Sequence, residues 1–224
     1  MADLKNKTYY KFQKLEKFER FIEIVANKRL YGAVYNELND PMEGKFHWSG
    51  SDKDELKNIY DQLKATRVCS LLTKQEKQIF PNNFLMWSHY ADSHKGCCFE
   101  LQITGMYNGG WDLYEVKYDD KIPIVNGGDI HDNIKNILSV KHPIWKDEHE
   151  VRAIKIYDKK KFSSLSEYYH VIIKAIYFGD KVKREKVDFY KKIITSIDDS
   201  INIFWIREEK GFTGNFPKLT YKKM

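Results

Sequence analysis

The chain has 224 residues, 42% hydrophobic and 15% aromatic, which is too much packing bulk for a disordered polymer and enough chain to bury a core. Lys and Arg total 38 against 32 Asp and Glu, giving a net charge of +6, a balance that permits nucleic acid or NAD phosphates as partners without pointing to them. No stretch reaches the roughly 20 apolar residues that span a bilayer, and the N-terminus lacks the apolar core of a secretory signal, so a cytoplasmic protein without a membrane partner is expected. Three cysteines, two of them the neighbours Cys97 and Cys98, form no disulfide framework and suit a reducing compartment.

In chain order, Tyr9-Tyr10-Lys11-Phe12 predicts a first strand, followed by an amphipathic helix with Leu15, Phe18, Ile22 and Val25 on one face. Leu30–Val34 predicts a second strand, ended by the turn residues Asn39-Asp40-Pro41. Ser51, with Asp54 three residues on, resembles a capping box opening a helix that carries Leu56, Ile59, Tyr60 and Leu63. A strand at Val68–Leu72 precedes the aromatic segment Phe84–Ala91, which reads as a short helix.

Cys97, Phe99, Leu101 and Ile103 alternate as one buried strand face. A strand near Leu113–Tyr118, a helix through Ile130, Ile134, Ile137 and Leu138, and strands at Val151–Tyr157 and Val171–Phe178 follow. A charged helix over roughly 183–197 and a last strand, Ile201–Ile206, close the chain. Asn108-Gly109-Gly110 and Asn126-Gly127-Gly128 read as turns, not as phosphate loops. Helices and strands alternate without repeat or linker, so residues 1–224 are expected to form a single α+β domain of mixed and antiparallel sheets flanked by helices.

Three constellations carry candidate chemistry. In Glu148-His149-Glu150-Val151-Arg152 the two Glu share a side if the chain is extended, and Arg152 continues that side to hold Glu150 by a bidentate pair. A carboxylate so fixed can stabilise an oxocarbenium-like sugar; the plainer reading is a solvated Glu–Arg pair. Trp87, Ser88 and Tyr90 on a helix suit a flat heteroaromatic ligand such as nicotinamide, against the plainer reading that Trp87 is core and Tyr90 packing. Asn39, Asp40 and Glu43 form a turn whose side chains can serve local backbone. A zinc set of His89, His94, Cys97 and Cys98 fits no usual spacing.

Taken in order, Tyr9-Tyr10-Lys11-Phe12 with Leu38-Asn39-Asp40-Pro41-Met42-Glu43, Met86-Trp87-Ser88-His89-Tyr90-Ala91-Asp92 with His94-Lys95-Gly96, Trp145 with Glu148–Arg152, and Ile176-Tyr177-Phe178-Gly179 resemble a bacterial family known as Domain of Unknown Function 2971. A more distant resemblance is to the ADP-ribosyltransferases, which read NAD with a basic or aromatic residue on a first strand, a Ser or Tyr near the nicotinamide, and a Glu within an E-x-E loop. This chain offers Tyr10 or Lys11, then Ser88 and Tyr90, then Glu148 and Glu150.

The resemblance implies a split β-sandwich and an NAD-consuming transferase or glycohydrolase, of the toxin or phage-defence kind, acting on a protein or nucleic-acid acceptor or on water. Glu150, Glu148 and Tyr90 would be catalytic, and Tyr10, Lys11, Asn39, Asp40, Trp87, Ser88 and Arg152 would bind the NAD. Two other readings compete. One is a nucleotide or nucleic-acid binding module without turnover. The other is a metal-dependent nuclease built on Asp40, Glu43, Glu148 and Glu150.

Overall fold

The computed structural model describes residue 4 and residues 7–73, 83–103, 109–157, 167–209 and 218–224. The turn expected at Asn108 falls partly outside these residues. Helices and mostly antiparallel strands alternate as an α+β fold, and no helix among the described residues is long and apolar enough to cross a membrane. The chain divides into two compact units, each assembled from separated stretches of sequence: Met1–Leu30, Leu72–Gly105 and His170–Met224 in the first, Tyr31–Leu71 and Met106–Tyr169 in the second.

The first unit is a sheet with a helical layer. Its strands are β1 (Thr8–Gln13), β5 (Cys97–Ile103), β11 (Tyr168–Phe178), β12 (Asn202–Glu209) and β13 (Lys218–Lys223), in the order β13-β12-β11-β5-β1. Only the β11–β12 pair is parallel, because the helix α5 (Arg184–Ile197) carries the chain back between them. Helix α1 (Phe18–Asn27) buries Phe21, Ile24 and Val25, one step round from the Phe18/Ile22 face that the spacing predicts. The reason is aromatic packing: Phe21 meets Tyr190 of α5 edge-on at 4.6 Å and lies 5.6 Å from Phe99 of β5.

Helix α3 (Phe84–Tyr90) buries Met86 and Trp87 against Tyr10 and Phe12 of β1 and Cys98 of β5. Because both surfaces of β5 are covered near its start, Cys97 and Cys98 are both buried, where a one-sided alternation is expected. Strand β13 has no counterpart in the sequence reading. It is short and lysine-rich, as suits a sheet edge that must not recruit another strand.

The second unit holds β10 (Glu150–Lys155) between the start of β4 (Arg67–Thr73) and β6 (Trp111–Glu115), with β10 and β6 antiparallel. Helices α2 (Lys53–Ala65) and α4 (Ile130–Leu138) pack together through Ile59, Leu63, Ile134 and Ile137. The α2 cap is Asp52, not Ser51: its carboxylate accepts from the backbone N–H of Asp54 at 2.8 Å and of Glu55 at 3.2 Å. An anionic oxygen at this end complements the helix dipole better than a hydroxyl.

The expected strand through Tyr118 is broken at Val116, whose N–H is taken by the Glu150 carbonyl at 3.0 Å. Its remainder, β7 (Lys117–Tyr118), runs parallel to β9 (Val140–Lys141), setting Tyr118 opposite Lys141.

In the first unit, Gly179 follows β11 where two backbones nearly touch: its N–H donates to the Gly96 carbonyl at 2.9 Å, and a Cβ there would meet the His94 carbonyl oxygen at 2.1 Å. Gly179→Ala is therefore expected to cost about 1–3 kcal/mol of stability. A urea midpoint equal to wild type would show that this close approach is not needed.

Candidate functional site

The most unusual chemistry of the second unit is a set of five charged side chains withdrawn from solvent: Glu43, Lys141, Glu148, Glu150 and Arg152. Each arrives by a different local device. Asp40 builds the turn expected around Pro41, its carboxylate accepting from the Met42 N–H at 2.9 Å and its carbonyl from the Glu43 N–H at 3.0 Å, and this turn delivers Glu43 inward. Lys141 ends β9. Glu148 ends a six-residue 3-10 helix, Pro143–Glu148, whose start is capped by the His142 ring accepting from the Ile144 N–H at 3.2 Å.

His149 then turns the chain in the left-handed conformation, φ 48° and ψ 52°, before Glu150 opens β10. Histidine is among the few non-glycine residues enriched there. Glu148 and Glu150 therefore converge through this turn and not through the strand alternation that the spacing suggests.

Arg152 is the hub. Its Nε donates to Glu150 Oε1 at 2.7 Å, and Nη2 to Glu150 Oε2 at 3.2 Å, which is the bidentate pair the sequence suggests. Nη1 donates to Glu43 Oε2 at 2.6 Å and to the Leu138 carbonyl at 2.7 Å, while Nη2 also bonds Glu43 Oε1. All five guanidinium N–H groups are thus satisfied.

The Lys141 ammonium donates to Glu148 at 2.6 Å and Glu150 at 3.1 Å, lies 3.9 Å from Glu43, and sits 4.9 Å from the Trp145 ring centroid. The Tyr118 hydroxyl accepts from the Glu150 N–H at 2.9 Å. Burial pushes the Tyr118 hydroxyl up to about 12.

Three carboxylates face two cations, so with every group ionised the cluster carries one negative charge in excess. Burial works to raise the Glu150 pKa, but Arg152, Lys141 and a hydrogen bond from Ser70 outweigh it and bring it down to about 2. For Glu43, burial wins over the pairing with Arg152, and its pKa is raised. Burial lowers the Lys141 ammonium less than Glu150 and Glu148 raise it, so it stays charged. The excess negative charge therefore has a defined place to accept a proton, at Glu43.

The residues singled out in the sequence divide between the two units. Glu148, Glu150 and Arg152 belong to this cluster; Asp40 is buried beside it in the turn, and Asn39 is exposed. Tyr10, Trp87 and Tyr90 meet in the apolar cluster of the first unit. There Trp87 is fully buried, edge-on to Phe12 at 5.0 Å and stacked with His94 at 5.8 Å, which is the plainer of its two readings. Ser88 is exposed, and Lys11, next to Tyr10 on β1, points to the opposite side of the sheet.

Lys141 and the part played by Glu43 have no sequence signal, since nothing local marks a Lys whose partners lie on another element or a Glu whose partner is 109 residues away. Among the described residues, no group of three or more His, Cys, Asp or Glu is arranged to hold a metal ion; where Glu43, Glu148 and Glu150 converge, an ammonium lies between them. A scan against protein-family models, a search of curated proteins and a search of solved structures each return no match for this chain.

Two outcomes follow from this geometry. Arg152→Ala strands two buried carboxylates and is expected to cost about 3–5 kcal/mol in chemical denaturation, whereas a surface Glu–Arg pair would cost under about 1 kcal/mol. In a carbon-detected titration, Glu43 should take up a proton above the ordinary carboxylate value of 4.5, with Glu150 ionised down to about 2. The signs oppose: Glu150 contributes stability above the ordinary value that fades as pH falls towards its own, and Glu43 favours the fold at low pH and ceases to as pH rises through its raised value. Glu150 protonating before Glu43 would refute the assignment.

Proposed function

We propose that this chain consumes NAD, cleaving the bond between nicotinamide and ribose in the manner of an ADP-ribosyltransferase or NAD glycohydrolase. The observation that carries the reading is the pre-paired cluster built on the Glu148-His149-Glu150 turn, in which Glu150 stays ionised at every physiological pH.

As the glycosidic carbon–nitrogen bond breaks, nicotinamide leaves with the bonding electrons and the ribose becomes cationic. Fixed negative charge in a low-dielectric surrounding stabilises that cation without solvent reorganisation. The cation is then captured by water or by an acceptor nucleophile, which loses a proton. Glu148 takes the acceptor-orienting part, Glu150 is the carboxylate that favours the cation, and Arg152 with Lys141 hold both in position.

This reading rests on the second unit alone and carries with it the finer expectation of a split β-sandwich. Of the competing readings, a metal-dependent nuclease on the same acids would require a divalent cation to take the place of the Lys141 ammonium, against Coulomb repulsion.

The test is nicotinamide release from NAD by purified protein, alone and with protein and nucleic-acid acceptors. Glu148→Gln and Glu150→Gln are each expected to reduce turnover about a hundred- to a thousandfold, the scale of one lost transition-state contact. Thermal unfolding of each variant separates lost chemistry from lost fold. Release that both variants leave unchanged, or a wild type that neither binds nor cleaves NAD, would overturn the proposal.

A further inference from the structure

The first unit carries a second arrangement that the NAD reading does not use. On one side of its sheet, β1, β5, β11, β12 and β13 present Tyr10, Glu100, Tyr177, Phe204 and Tyr221. Strand register brings them together: Tyr10 is opposite Glu100, Tyr177 is opposite Phe204, and Tyr221 is opposite Ile206, two residues along from Phe204.

Tyr177 and Phe204 stack at 4.8 Å with 15° between their planes, and the Tyr221 ring stands across both, at 5.5 Å and 84° from Tyr177 and at 5.1 Å and 75° from Phe204. Glu100 sits beside these rings, its Oε2 accepting from the Tyr177 hydroxyl at 2.7 Å. Its other oxygen has no hydrogen-bond partner among the described residues. The group is accessible: Tyr221 is 50% exposed, and Phe204 and Glu100 are half-buried.

We propose that this surface binds an organic cation with a quaternary nitrogen, held against the solvent-facing side of the Phe204 and Tyr221 rings and drawn there by the carboxylate of Glu100. Aromatic rings present negative faces, and a half-buried carboxylate without a cationic partner among the described residues adds a full charge to the same side. A quaternary nitrogen has no N–H groups to be left unsatisfied and sheds water at low cost, so rings can replace its hydration.

The surrounding field agrees. Burial raises the Tyr177 and Tyr10 hydroxyls, and Glu100 raises both further. Among the described strand residues on this side, the lysine is Lys223, which lies opposite Phe204 on the edge strand and is exposed, as suits a long side chain that keeps its ammonium in water. A phosphate-bearing ligand would be repelled by Glu100, and a metal ion would find a single carboxylate among the described residues of this group.

The experiment is a titration of the full chain with choline and, separately, with its neutral carbon analogue, in which a tert-butyl group replaces trimethylammonium. The resonances of Phe204 and Tyr221 report on binding. Choline is expected to bind saturably and about tenfold more tightly than the analogue. Glu100→Gln is expected to reduce that preference severalfold, leaving the affinity for the neutral analogue unchanged. Equal binding of the two compounds, no choline binding up to tens of millimolar, or a preference as large in Glu100→Gln as in wild type would each overturn the proposal. The comparison on wild type needs no variant to fold, and none of these outcomes depends on NAD cleavage.

Discussion

A guanidinium removed from water is tolerable only if every donor is met, and Arg152 meets that condition with two carboxylates and one backbone carbonyl. Much of the second unit follows from this demand. The turn after Asn39 must bring Glu43 inward, helix α4 must end so that the Leu138 carbonyl faces the arginine, and β10 must begin with a glutamate two residues before it. An arginine so buried without these partners would cost far more than a domain's whole margin of stability. The three segments are therefore tied to one another by charge and geometry as well as by apolar packing.

The ledger of charge in that cluster is uneven by design of its contacts. Arg152 serves Glu43 and Glu150; Lys141 serves Glu148 and Glu150. Glu150, touching both cations, is the most firmly ionised, and Glu43, touching chiefly one, is the group that burial raises. A buried charge set is weak evidence of stability for its own sake, since apolar residues of similar volume often serve as well. Within this set, the pairing with both Arg152 and Lys141 is what keeps Glu150 ionised while Glu43 is the group left to take a proton.

The first unit solves a different problem, that of covering a sheet on two sides with few residues. One side takes α1 and α5 through Phe21, Phe99, Phe178 and Tyr190, which pack as a tilted and edge-on set with centroids 4.6 to 6.5 Å apart. The other takes α3, whose Met86 and Trp87 join one apolar cluster with Tyr177 of β11, Ile206 of β12 and Leu219 of β13. On the same side Tyr177, Phe204 and Tyr221 pack ring against ring, with the Glu100 carboxylate accepting from the Tyr177 hydroxyl. Phe204, Tyr221 and Glu100 keep part of their surface accessible there.

Much of this was legible in the amino-acid sequence, because the signals are local. Apolar spacing marks α1 and α4, a charged run marks α5, the aromatic run from Phe84 marks α3, and the two-residue period places Glu150 and Arg152 side by side on β10. Two kinds of information were decided only in three dimensions. Partners far apart in the chain, such as Glu43 with Arg152 or Tyr177 with Glu100, leave no mark on the residues around them. Conformations set by context, such as the left-handed His149 that turns Glu148 and Glu150 onto one ammonium, contradict the regular pattern from which a sequence is read. Local backbone preference follows from each residue and its near neighbours, but the pairing of buried charges is chosen by what the folded chain can bring within hydrogen-bond distance.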